Sequence, residues 1–270
     1  MTPPDIRRDE VRAHFSAHAD EYDRYAVVQK RVVAQLLERL PAAPPTGLWL
    51  DLGCGTGELA QALRQIQPSQ PLLVADIAHG MTCHAAERVA DVFAVDADAE
   101  ALPLADASCS LILSSSMYQW VDDLGRAFAE NWRVIRPGGT FLFALFGRAT
   151  LHELRASHRA ALAEAGNPYP SHMQSFPETE AVQKALAAAG FAFDLWSNEE
   201  VEHHPDVATL LRHLKKIGAQ NASSKRPPGL ASRRVTQRMI DLYGERFAAP
   251  QGIPATYEVI YGIATKKGDA

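Results

Sequence analysis

The sequence is poor in several features that would assign it to a class at once. Only three of its 270 residues are cysteines, Cys54, Cys83 and Cys109, and no two of them form a C-x-x-C pair. We therefore expect reduced thiols rather than a disulfide framework. No stretch approaches the roughly twenty consecutive apolar residues of a membrane span, and the polar first ten residues lack the apolar segment of a signal peptide. These absences predict a soluble cytoplasmic protein.

An excess of basic charge is also missing, because the formal net charge is −5. Such a chain has no general affinity for nucleic acid or for an anionic membrane. Its hydrophobic content of 47% is ample for a buried core. The length predicts one large domain, or one domain with a smaller cap.

Glycines are concentrated in one short turn. An apolar stretch over 48–52 is followed by Gly53, Gly55 and Gly57, and a helical pattern of apolar residues begins at Glu58. Glycine lets the chain turn sharply and lets a ligand approach the backbone closely. A strand, a glycine turn and a helix N-terminus in this order are typical of a nucleotide-binding α/β unit, although a plain tight turn can contain the same glycines.

Two carboxylates make the expected ligand more specific. Asp51 precedes the first glycine, and Asp76 ends the next predicted strand. An acid at the mouth of the turn repels a phosphate but suits a cationic amino group, and a carboxylate at the second strand end suits a ribose diol. The G-x-G-x-G spacing differs from the G-x-G-x-x-G of dinucleotide sites, which disfavours a nicotinamide dehydrogenase. The segment D-x-G-x-G-x-G resembles the signature of Rossmann-like S-adenosylmethionine (SAM) methyltransferases, which implies SAM as the cofactor.

Predicted strands and helices alternate after this turn. The strands lie near 48–53, 71–76, 91–95, 109–115, 140–146, 191–201 and 256–265. Alternation of this kind predicts an α/β fold. By its resemblance to class I SAM-dependent methyltransferases, we expect a Rossmann-like, mostly parallel, doubly wound, seven-stranded sheet with helical cap insertions.

The predicted organisation divides the chain at these insertions. Insertions that follow strands project from the carboxyl edge of an open sheet, where ligands bind, so both insertions should cap the site. The expected segments are an N-terminal helical segment (1–46), a SAM-binding Rossmann-like core (47–147), a cap insertion (148–177), a core helix and strand (178–204), a basic helical cap insertion (205–255), and a last core strand with a tail (256–270).

The resemblance to SAM methyltransferases implies a set of cofactor contacts. Asp98 matches the position that reads the adenine amino group, with the Ala99 amide beside it, and a solvated loop acid is the alternative. Ile77 and Met81 either pack on the adenine or belong to the core. Ser114 ends the fourth strand, which lies beside the transferable methyl group in these enzymes. The expected cofactor-binding residues are Asp51, Gly53, Gly55, Gly57, Asp76, Ile77, Met81, Asp98, Ala99 and Ser114.

The residues after the fourth strand bear on the methyl acceptor. The Asn-Pro-Pro-Tyr mark of amino-group methylation is absent, and no base or metal cluster is placed to deprotonate a hydroxyl, so we expect no metal site. A carboxylate is already ionised near pH 7, because its unperturbed pKa is about 4, and it needs positioning rather than a general base. Gln119 and Trp120 would supply a hydrogen bond and an apolar wall, or else begin a helix. Arg155 would reach the carboxylate of the substrate.

Acidic residues are missing from 207–240, a stretch that holds eight Lys and Arg residues. Such a run is often a solvated helix face, but the lack of acids favours a patch that attracts an acidic partner or a phosphate-bearing carrier. The predicted partner-binding residues are Arg212, Lys215, Lys216, Arg226, Arg233 and Arg234.

Five further segments carry a family resemblance. They are Phe15-Ser16-x-x-Ala19-x-x-Tyr22-Asp23, Gln119-Trp120, Thr150-Leu151-x-Glu153-Leu154-Arg155, Leu214-Lys215-x-Ile217-Gly218-Ala219-x-Asn221 and Thr256-Tyr257-Glu258-Val259-Ile260-Tyr261-Gly262. Together with the SAM turn, they make the chain resemble the malonyl-acyl-carrier-protein O-methyltransferase family of biotin synthesis, from about Val11 to Lys266. The SAM turn alone marks a superfamily, whereas the last two segments are much more specific.

This resemblance implies methyl esterification of the free carboxyl group of a malonyl thioester at the start of pimeloyl synthesis, with S-adenosylhomocysteine as the second product. The partner would be acyl carrier protein, which is strongly acidic and suits the basic run, or malonyl-coenzyme A. The N-terminal helical segment would cover the SAM site. Tyr22 would close that site, unless it only packs the helix onto the sheet, and would join Gln119, Trp120 and Arg155 in the catalytic set. We expect a monomer.

The chain departs from the family pattern at Cys109-Ser110 and over 114–118, which bears on the acceptor pocket. One alternative function is a small-acid carboxyl methyltransferase of the trans-aconitate type, which shares the Gln-Trp pair and needs no basic docking surface. The other is a non-catalytic SAM-binding module, which would bind SAM without turnover.

Overall fold

Seven strands form one sheet in the computed structural model, which describes residues 7–166, 175–219 and 232–268. The strands are β1 (Leu48–Leu52), β2 (Leu72–Asp76), β3 (Val92–Asp96), β4 (Cys109–Ser115), β5 (Ile135–Phe146), β6 (Ala192–His204) and β7 (Ile253–Thr265). Within the described ranges their order is β3-β2-β1-β4-β5-β7-β6. Neighbours from β3 to β5 pair in parallel, whereas β7 runs antiparallel to both β5 and β6. This topology confirms the expected mostly parallel sheet.

The helices surround this sheet. They are α1 (Arg8–Tyr25), α2 (Val27–Leu37), α3 (Glu58–Ile66), α4 (His79–Arg88), α5 (Leu124–Val134), α6 (His152–Glu164), α7 (Thr179–Ala189), α8 (Val207–Lys216) and α9 (Arg233–Phe247). Both α1 and α2 precede the sheet, α6 follows β5, and α8 and α9 lie between β6 and β7. In the part of the chain that the structure describes, no helix is long and apolar enough to cross a membrane.

The central strands are apolar on both faces because helices cover the sheet on both sides. Side chains alternate along a strand, so successive residues enter different cores. Trp49 and Leu111 pack in one hydrophobic cluster, and Leu50 and Ile112 pack in the other. This double burial fixes β1 and β4 at the centre of the sheet, where their carboxyl ends reach the candidate site.

The fifth strand begins earlier than its turn residues predict. The Arg-Pro-Gly-Gly motif at 136–139 predicts a turn before a strand at 140, but β5 already begins at Ile135. Ile135 pairs with Cys109, and the next paired residues are Thr140 and Leu111. The segment 136–139 therefore bulges out of the ladder between two paired positions.

The N-terminal helix α1 is fixed across the carboxyl edge of the sheet by polar contacts. The Asp23 carboxylate accepts hydrogen bonds from Thr56 Oγ1 at 2.5 Å and from Arg88 Nη1 at 2.7 Å. A Cβ atom on Gly80 would lie 2.9 Å from the Ser16 carbonyl oxygen, so only glycine allows α4 to approach α1 this closely. These contacts hold α1 against α4 and against the glycine turn that precedes α3.

The first cap helix, α6, is attached to β7 through two of the segments that carry the family resemblance. Leu151 precedes α6 with a left-handed φ of 53°, and its N–H donates to the Thr256 carbonyl at 2.6 Å. The Glu153 side chain is buried. Its carboxylate accepts hydrogen bonds from the Thr256 N–H at 3.3 Å and from the Thr256 hydroxyl. The orientation of α6 over the sheet edge is therefore set by the start of β7.

Two glycine substitutions test how tightly the antiparallel end of the sheet is packed. A Cβ atom on Gly262 in β7 would lie 2.7 Å from Leu195 Cδ2 and would overlap Phe143. We expect Gly262→Ala to lower the free energy of unfolding by about 1–3 kcal/mol, because it overpacks the core. The measurement is chemical denaturation.

Gly244→Ala is the matched control. It adds the same methyl group in α9, where no atom lies within 4 Å, and should raise the free energy of unfolding by about 0.5–1 kcal/mol through helix propensity. Equal effects of the two substitutions would contradict the packing at Gly262.

Candidate active site

A cavity of about 440 Å³ opens at the carboxyl edge of the sheet. The ends of β1, β2 and β4 and the loop after β3 form one side, and α1, α6 and α8 contribute the other walls. A smaller recess adjoins it along the glycine turn and shares Tyr22, Gly53 and Gly55 with it. The cavity therefore lies where open α/β sheets bind their ligands.

The three glycines of the turn have different roles. Each has a positive φ, 75° at Gly53, 51° at Gly55 and 87° at Gly57. Gly53 and Gly55 line the cavity, and a Cβ atom on Gly55 would meet nothing within 4 Å. Gly57 faces α4 instead, because its Cβ position lies 3.1 Å from Ala85 Cα. Gly55 thus leaves the turn open to a ligand, and Gly57 allows two helices to pack. A Cβ atom on Gly53 would overlap the Met117 side chain, so glycine is needed there for close packing as well.

Asp76 lies at the end of β2 with its carboxylate fixed by two backbone donors. Its Oδ2 accepts the Gly55 N–H at 3.0 Å, and its Oδ1 accepts the Ala78 N–H at 2.8 Å. Burial nevertheless raises the pKa of Asp76 to about 6. Asp76 lines the cavity, so its rigid carboxylate faces the space where a ribose diol was expected.

Asp51 is the most unusual carboxylate of the site. It is 1% exposed, and neither of its oxygens makes a hydrogen bond of normal geometry to any residue that the structure describes. Burial and the nearby Asp76 raise the pKa of Asp51 to about 7, although the backbone N–H of Ala60 favours the ionised form. Asp51 lines the smaller recess beside the main cavity.

These features fit a cationic ligand with a hydroxyl-bearing portion. A buried carboxylate without hydrogen-bond donors is costly unless a cation or a donor reaches it. Asp51 therefore suits an ammonium group, and Asp76 suits a diol, at neighbouring positions of one turn. The residues present thus fit SAM, which combines an amino acid ammonium with a ribose.

Asp98, the residue predicted to contact the adenine amino group, forms an ion pair with Arg8, which was not among the predicted site residues. Arg8, in the first turn of α1, pairs with Asp98 at 2.6 Å and with Glu100 at 2.5 Å. Glu100 is buried and also accepts the N–H groups of Asp122 and Asp123 at 2.9 and 3.2 Å. Arg8, Asp98 and Glu100 all line the cavity, so α1 is tied to the loop on which the adenine contact is expected.

The remaining predicted cofactor residues divide into two groups. Ile77, Met81 and Ala99 line the cavity. Ser114 does not, because it is completely buried within β4. The next two residues, Ser115 and Ser116, line both the cavity and the recess. At this strand end the cavity is thus lined by Ser115 and Ser116 rather than by Ser114.

Aromatic side chains from α1 cover the cavity. The Phe15 ring lies 5.3 Å from the Trp120 ring in an edge-on arrangement and 6.4 Å from the Tyr22 ring. Burial and the nearby carboxylates of Asp76 and Asp23 raise the pKa of Tyr22, so its hydroxyl stays protonated near neutral pH. The predicted residues Tyr22 and Trp120 therefore share one aromatic wall, with Phe15 between them.

Gln119 is turned toward the backbone around it. Its side-chain Nε2 donates to the Ser116 carbonyl, and its Oε1 accepts the Phe146 N–H at 3.4 Å. The residue is buried, and it lines the cavity as part of a short 3₁₀ turn over Tyr118–Trp120. A helical turn therefore begins at the Gln-Trp pair, and both residues line the cavity.

Arg155 brings a positive charge into the cavity from α6. Its guanidinium lies 5.2 Å from the centre of the Phe176 ring, and its Nη1 donates to the Arg148 carbonyl at 2.8 Å. Burial and the neighbouring charges of Arg159 and Arg148 lower the pKa of Arg155. An arginine remains charged at neutral pH, so an anion at this position would relieve the repulsion among the three cations.

The basic run from 207 is less uniform than its sequence indicates. Lys215 lines the cavity, whereas Lys216 pairs with Glu21 at 2.5 Å. Arg212 donates to the Thr209 hydroxyl at 2.7 Å. Exposed positions at the start of α9 are occupied by Arg233 and Arg234, while Arg226, Lys225 and the motif residue Asn221 lie outside the described residues. Among the described cations of this run, one therefore lines the cavity and the others are surface charges.

Several cavity residues were not predicted. They include Arg8, Val11, Glu100, Ser115, Ser116, Met117, Phe176, Leu211 and Tyr257. A helical period through Leu214 would have found Leu211, one turn earlier on α8. No local pattern indicates Arg8, because its acidic partners lie about ninety residues further along the chain.

Comparisons with known proteins agree with this arrangement. Residues 50–143 match the methyltransferase domain family. A malonyl-[acyl-carrier protein] O-methyltransferase of Geobacter sulfurreducens is 44% identical over 97% of this chain and 100% of its own length. A second, of Methylococcus capsulatus, is 37% identical over 95% of this chain and 93% of its own. The structure of a SAM-dependent methyltransferase of Thermotoga maritima superposes with a TM-score of 0.56 at 20% identity, covering 95% of this chain and 100% of that one, which supports the fold alone.

The raised pKa values of Asp51 and Asp76 predict that SAM binding depends on pH. In the free protein these carboxyls take up protons as the pH falls through about 7 and about 6, whereas a cationic ligand needs them ionised. The dissociation constant for SAM should therefore rise between pH 8 and pH 5.5, by up to about tenfold per pH unit for each proton. Calorimetry in buffers of different ionisation enthalpy should also detect proton release on binding.

Asp51→Asn should remove the change in the SAM dissociation constant near pH 7 and should weaken SAM binding at pH 8. It should also stabilise the ligand-free protein at pH 8. When the pKa of a carboxyl is higher in the folded than in the unfolded state, the protein becomes less stable as the pH rises from about 4 toward 7. The reason is that the folded state binds more protons than the unfolded state over this pH range. The control Asp194→Asn changes an exposed carboxylate on β6 and should alter none of these properties. A pH-independent affinity in the unmutated protein would contradict the assignment.

Proposed function

The chain belongs to the malonyl-[acyl-carrier protein] O-methyltransferase family, and we propose that it methyl-esterifies the free carboxylate of a malonyl thioester, with SAM as the methyl donor. One observation carries this proposal. A single cavity is lined by Asp76 and Asp98 from the sheet edge and by the cations Arg155 and Lys215 from α6 and α8. The acids suit a cationic cofactor, and the cations suit an anionic acceptor.

The chemistry needs alignment more than proton transfer. When bound, SAM supplies an electrophilic methyl group on a sulfonium. The acceptor carboxylate is ionised near neutral pH, because its unperturbed pKa is about 4, and one of its oxygens displaces the thioether in line. The Gln119 and Ser116 turn shapes the wall of the cavity, and no residue has to act as a general base.

We assign the recognition of the malonyl carboxylate to Arg155. Guanidinium and carboxylate groups match in geometry and form charge-assisted hydrogen bonds. The buried contact of Glu153 with Thr256 fixes the first turn of α6, so Arg155 extends from an anchored helix. The repulsion from Arg148 and Arg159 makes an anion at this position more favourable.

The aromatic wall would exclude water from the reacting groups. Phe15 and Tyr22 come from α1, and Trp120 comes from the turn after β4. Removing water strengthens the electrostatic interactions that hold the two oppositely charged reactants. We therefore propose that the segment 1–46 covers SAM, and that the insertions 148–177 and 205–255 form the walls around the acceptor.

Acyl carrier protein is the proposed source of the malonyl group. Arg233, Arg234 and Arg212 are exposed on α9 and α8, and an acidic carrier would be attracted to them. Lys215 is also exposed, but it lines the cavity as well. We propose that Lys215 contacts the part of the carrier that bears the malonyl group, at the point where that part enters the cavity. We also propose that the protein acts in the cytoplasm.

Substitution of Arg155 should separate acceptor recognition from SAM binding. We expect Arg155→Ala to raise the KM for the malonyl substrate at least about tenfold, because a charge-assisted pair is lost, and to leave the SAM dissociation constant nearly unchanged. Arg155→Lys should recover part of the loss. Lys184→Ala, which removes an exposed cation from α7 outside the cavity, is the control and should behave like the unmutated enzyme. Equal losses in SAM binding and acceptor use would show that Arg155 is only structural.

The function itself is tested by transfer of a labelled methyl group from SAM. Malonyl-acyl carrier protein, malonyl-coenzyme A, malonate and trans-aconitate are supplied in parallel, and we expect the carrier-bound thioester to be preferred. The double charge reversal Arg233→Glu with Arg234→Glu should raise the KM for the carrier substrate several-fold and change that for malonate little.

The other outcomes distinguish the alternatives. Activity on a free acid alone, unaffected by the charge reversal, would favour the trans-aconitate type. Tight SAM binding without turnover on any carboxylate would favour a non-catalytic module.

A further inference from the structure

Three potential metal ligands meet where the edge strand β6 leads into the cap. Glu202 and His204 belong to β6, and His213 belongs to α8. One ligand atom from each of the three residues lies within 4.8 Å of the others. None of the three lines the cavity described above, so the cluster is separate from the candidate active site.

Two of these ligand-type nitrogens are buried and lack hydrogen bonds. His204 is 2% exposed, and its Nε2 has no hydrogen-bond partner among the residues that the structure describes. The same holds for His213 Nδ1. The nearest opposite charge to His204 Nε2 is Glu202 Oε2, at 3.6 Å. Buried polar atoms usually have partners, so this pair of nitrogens requires an explanation beyond packing.

The backbone explains why the three side chains converge. Residues two apart on a strand face the same side, which places Glu202 and His204 together and His203 on the opposite side. Asp206 then caps α8 by accepting the Thr209 N–H at 2.6 Å, and the helix carries His213 back over the end of β6. The nearby Arg31 pairs with Glu200 at 3.6 Å and donates to the Val201 carbonyl at 3.2 Å, and its charge also acts on Glu202.

We propose that Glu202, His204 and His213 bind one Zn²⁺ ion. Two imidazole nitrogens and one carboxylate oxygen form a common three-ligand set for zinc, with water as the fourth ligand. Zinc bonds of about 2.0–2.2 Å require the ligand atoms to approach closer than the 4.8 Å within which they lie here, so binding would draw the three side chains together.

The ion would join the cap to the sheet. The helix that carries His213 also carries Leu211, Leu214 and Lys215, which line the cavity. The His213 ring also lies 5.0 Å from the Tyr25 ring at the end of α1. A metal bridge between β6 and α8 would therefore hold the wall of the acceptor region in place without touching the reacting groups.

Metal binding is tested with tag-free protein, first freed of metal by a chelator and then titrated with ZnCl₂. A chromophoric zinc chelator serves as competitor, and the stoichiometry is read per chain. We expect one site that is weakened at least about hundredfold in His204→Gln and in His213→Gln, because each removes one of three ligands. The matched control is His203→Gln, which changes an exposed histidine next to the site and should bind zinc like the unmutated protein.

Two further readouts keep the result independent of folding defects and of enzyme activity. Zn²⁺ should raise the thermal midpoint of the unmutated protein and of His203→Gln by several degrees, and should leave that of His213→Gln unchanged. Substituted Co²⁺ should show the intense visible bands of a four-coordinate ion. Glu202→Gln, which keeps the size of the side chain, should weaken binding even if a histidine variant folds poorly.

Absence of stoichiometric Zn²⁺ binding would overturn the proposal. So would binding that persists equally in Glu202→Gln and His213→Gln, because the ion would then lie elsewhere on the chain.

Discussion

The architecture of the site depends on two carboxylates that the fold buries without compensating charge. Asp51 and Asp76 end neighbouring parallel strands, and burial raises the pKa of each. Asp76 is satisfied by backbone N–H groups, but neither oxygen of Asp51 makes a hydrogen bond of normal geometry within the described residues. In the proposed function a cationic ligand would remove this desolvation cost, so that burial of the carboxylate would favour SAM binding. The helix α1 would increase that effect by excluding water.

The segments that carry the family resemblance form connected units in space. Two of them, about one hundred residues apart, meet where Glu153 and Leu151 bond to Thr256. Another contains Tyr22 and Asp23, which cover the cavity and anchor α1. These three motifs thus combine a residue that lines the cavity with a residue that holds its element in position.

Prediction from the sequence succeeded where the signal is local. The strand–turn–helix at the glycines, the carboxylate at the end of β2 and the alternation of elements all follow from short-range patterns. The sequence could not distinguish Ser114, which is buried, from Ser115 and Ser116, which line the cavity, because these positions differ by only one or two residues at a strand end. Prediction missed Arg8 entirely, since that side chain meets Asp98 only after α1 is laid across the sheet edge.

The sequence by itself determined the fold class and the cofactor turn, because hydrophobic periodicity and glycine conformations act over a few residues. The expected type of reaction came from the resemblance of its motifs to a known family. Only the tertiary structure decided which cap residues face the cavity and which basic residues are already paired, as Lys216 is with Glu21. It also decided that Glu202 and His204 meet His213, a grouping with no recognisable spacing along the chain. Such contacts depend on how the insertions fold back over the sheet, and that geometry is fixed by long-range packing rather than by local sequence.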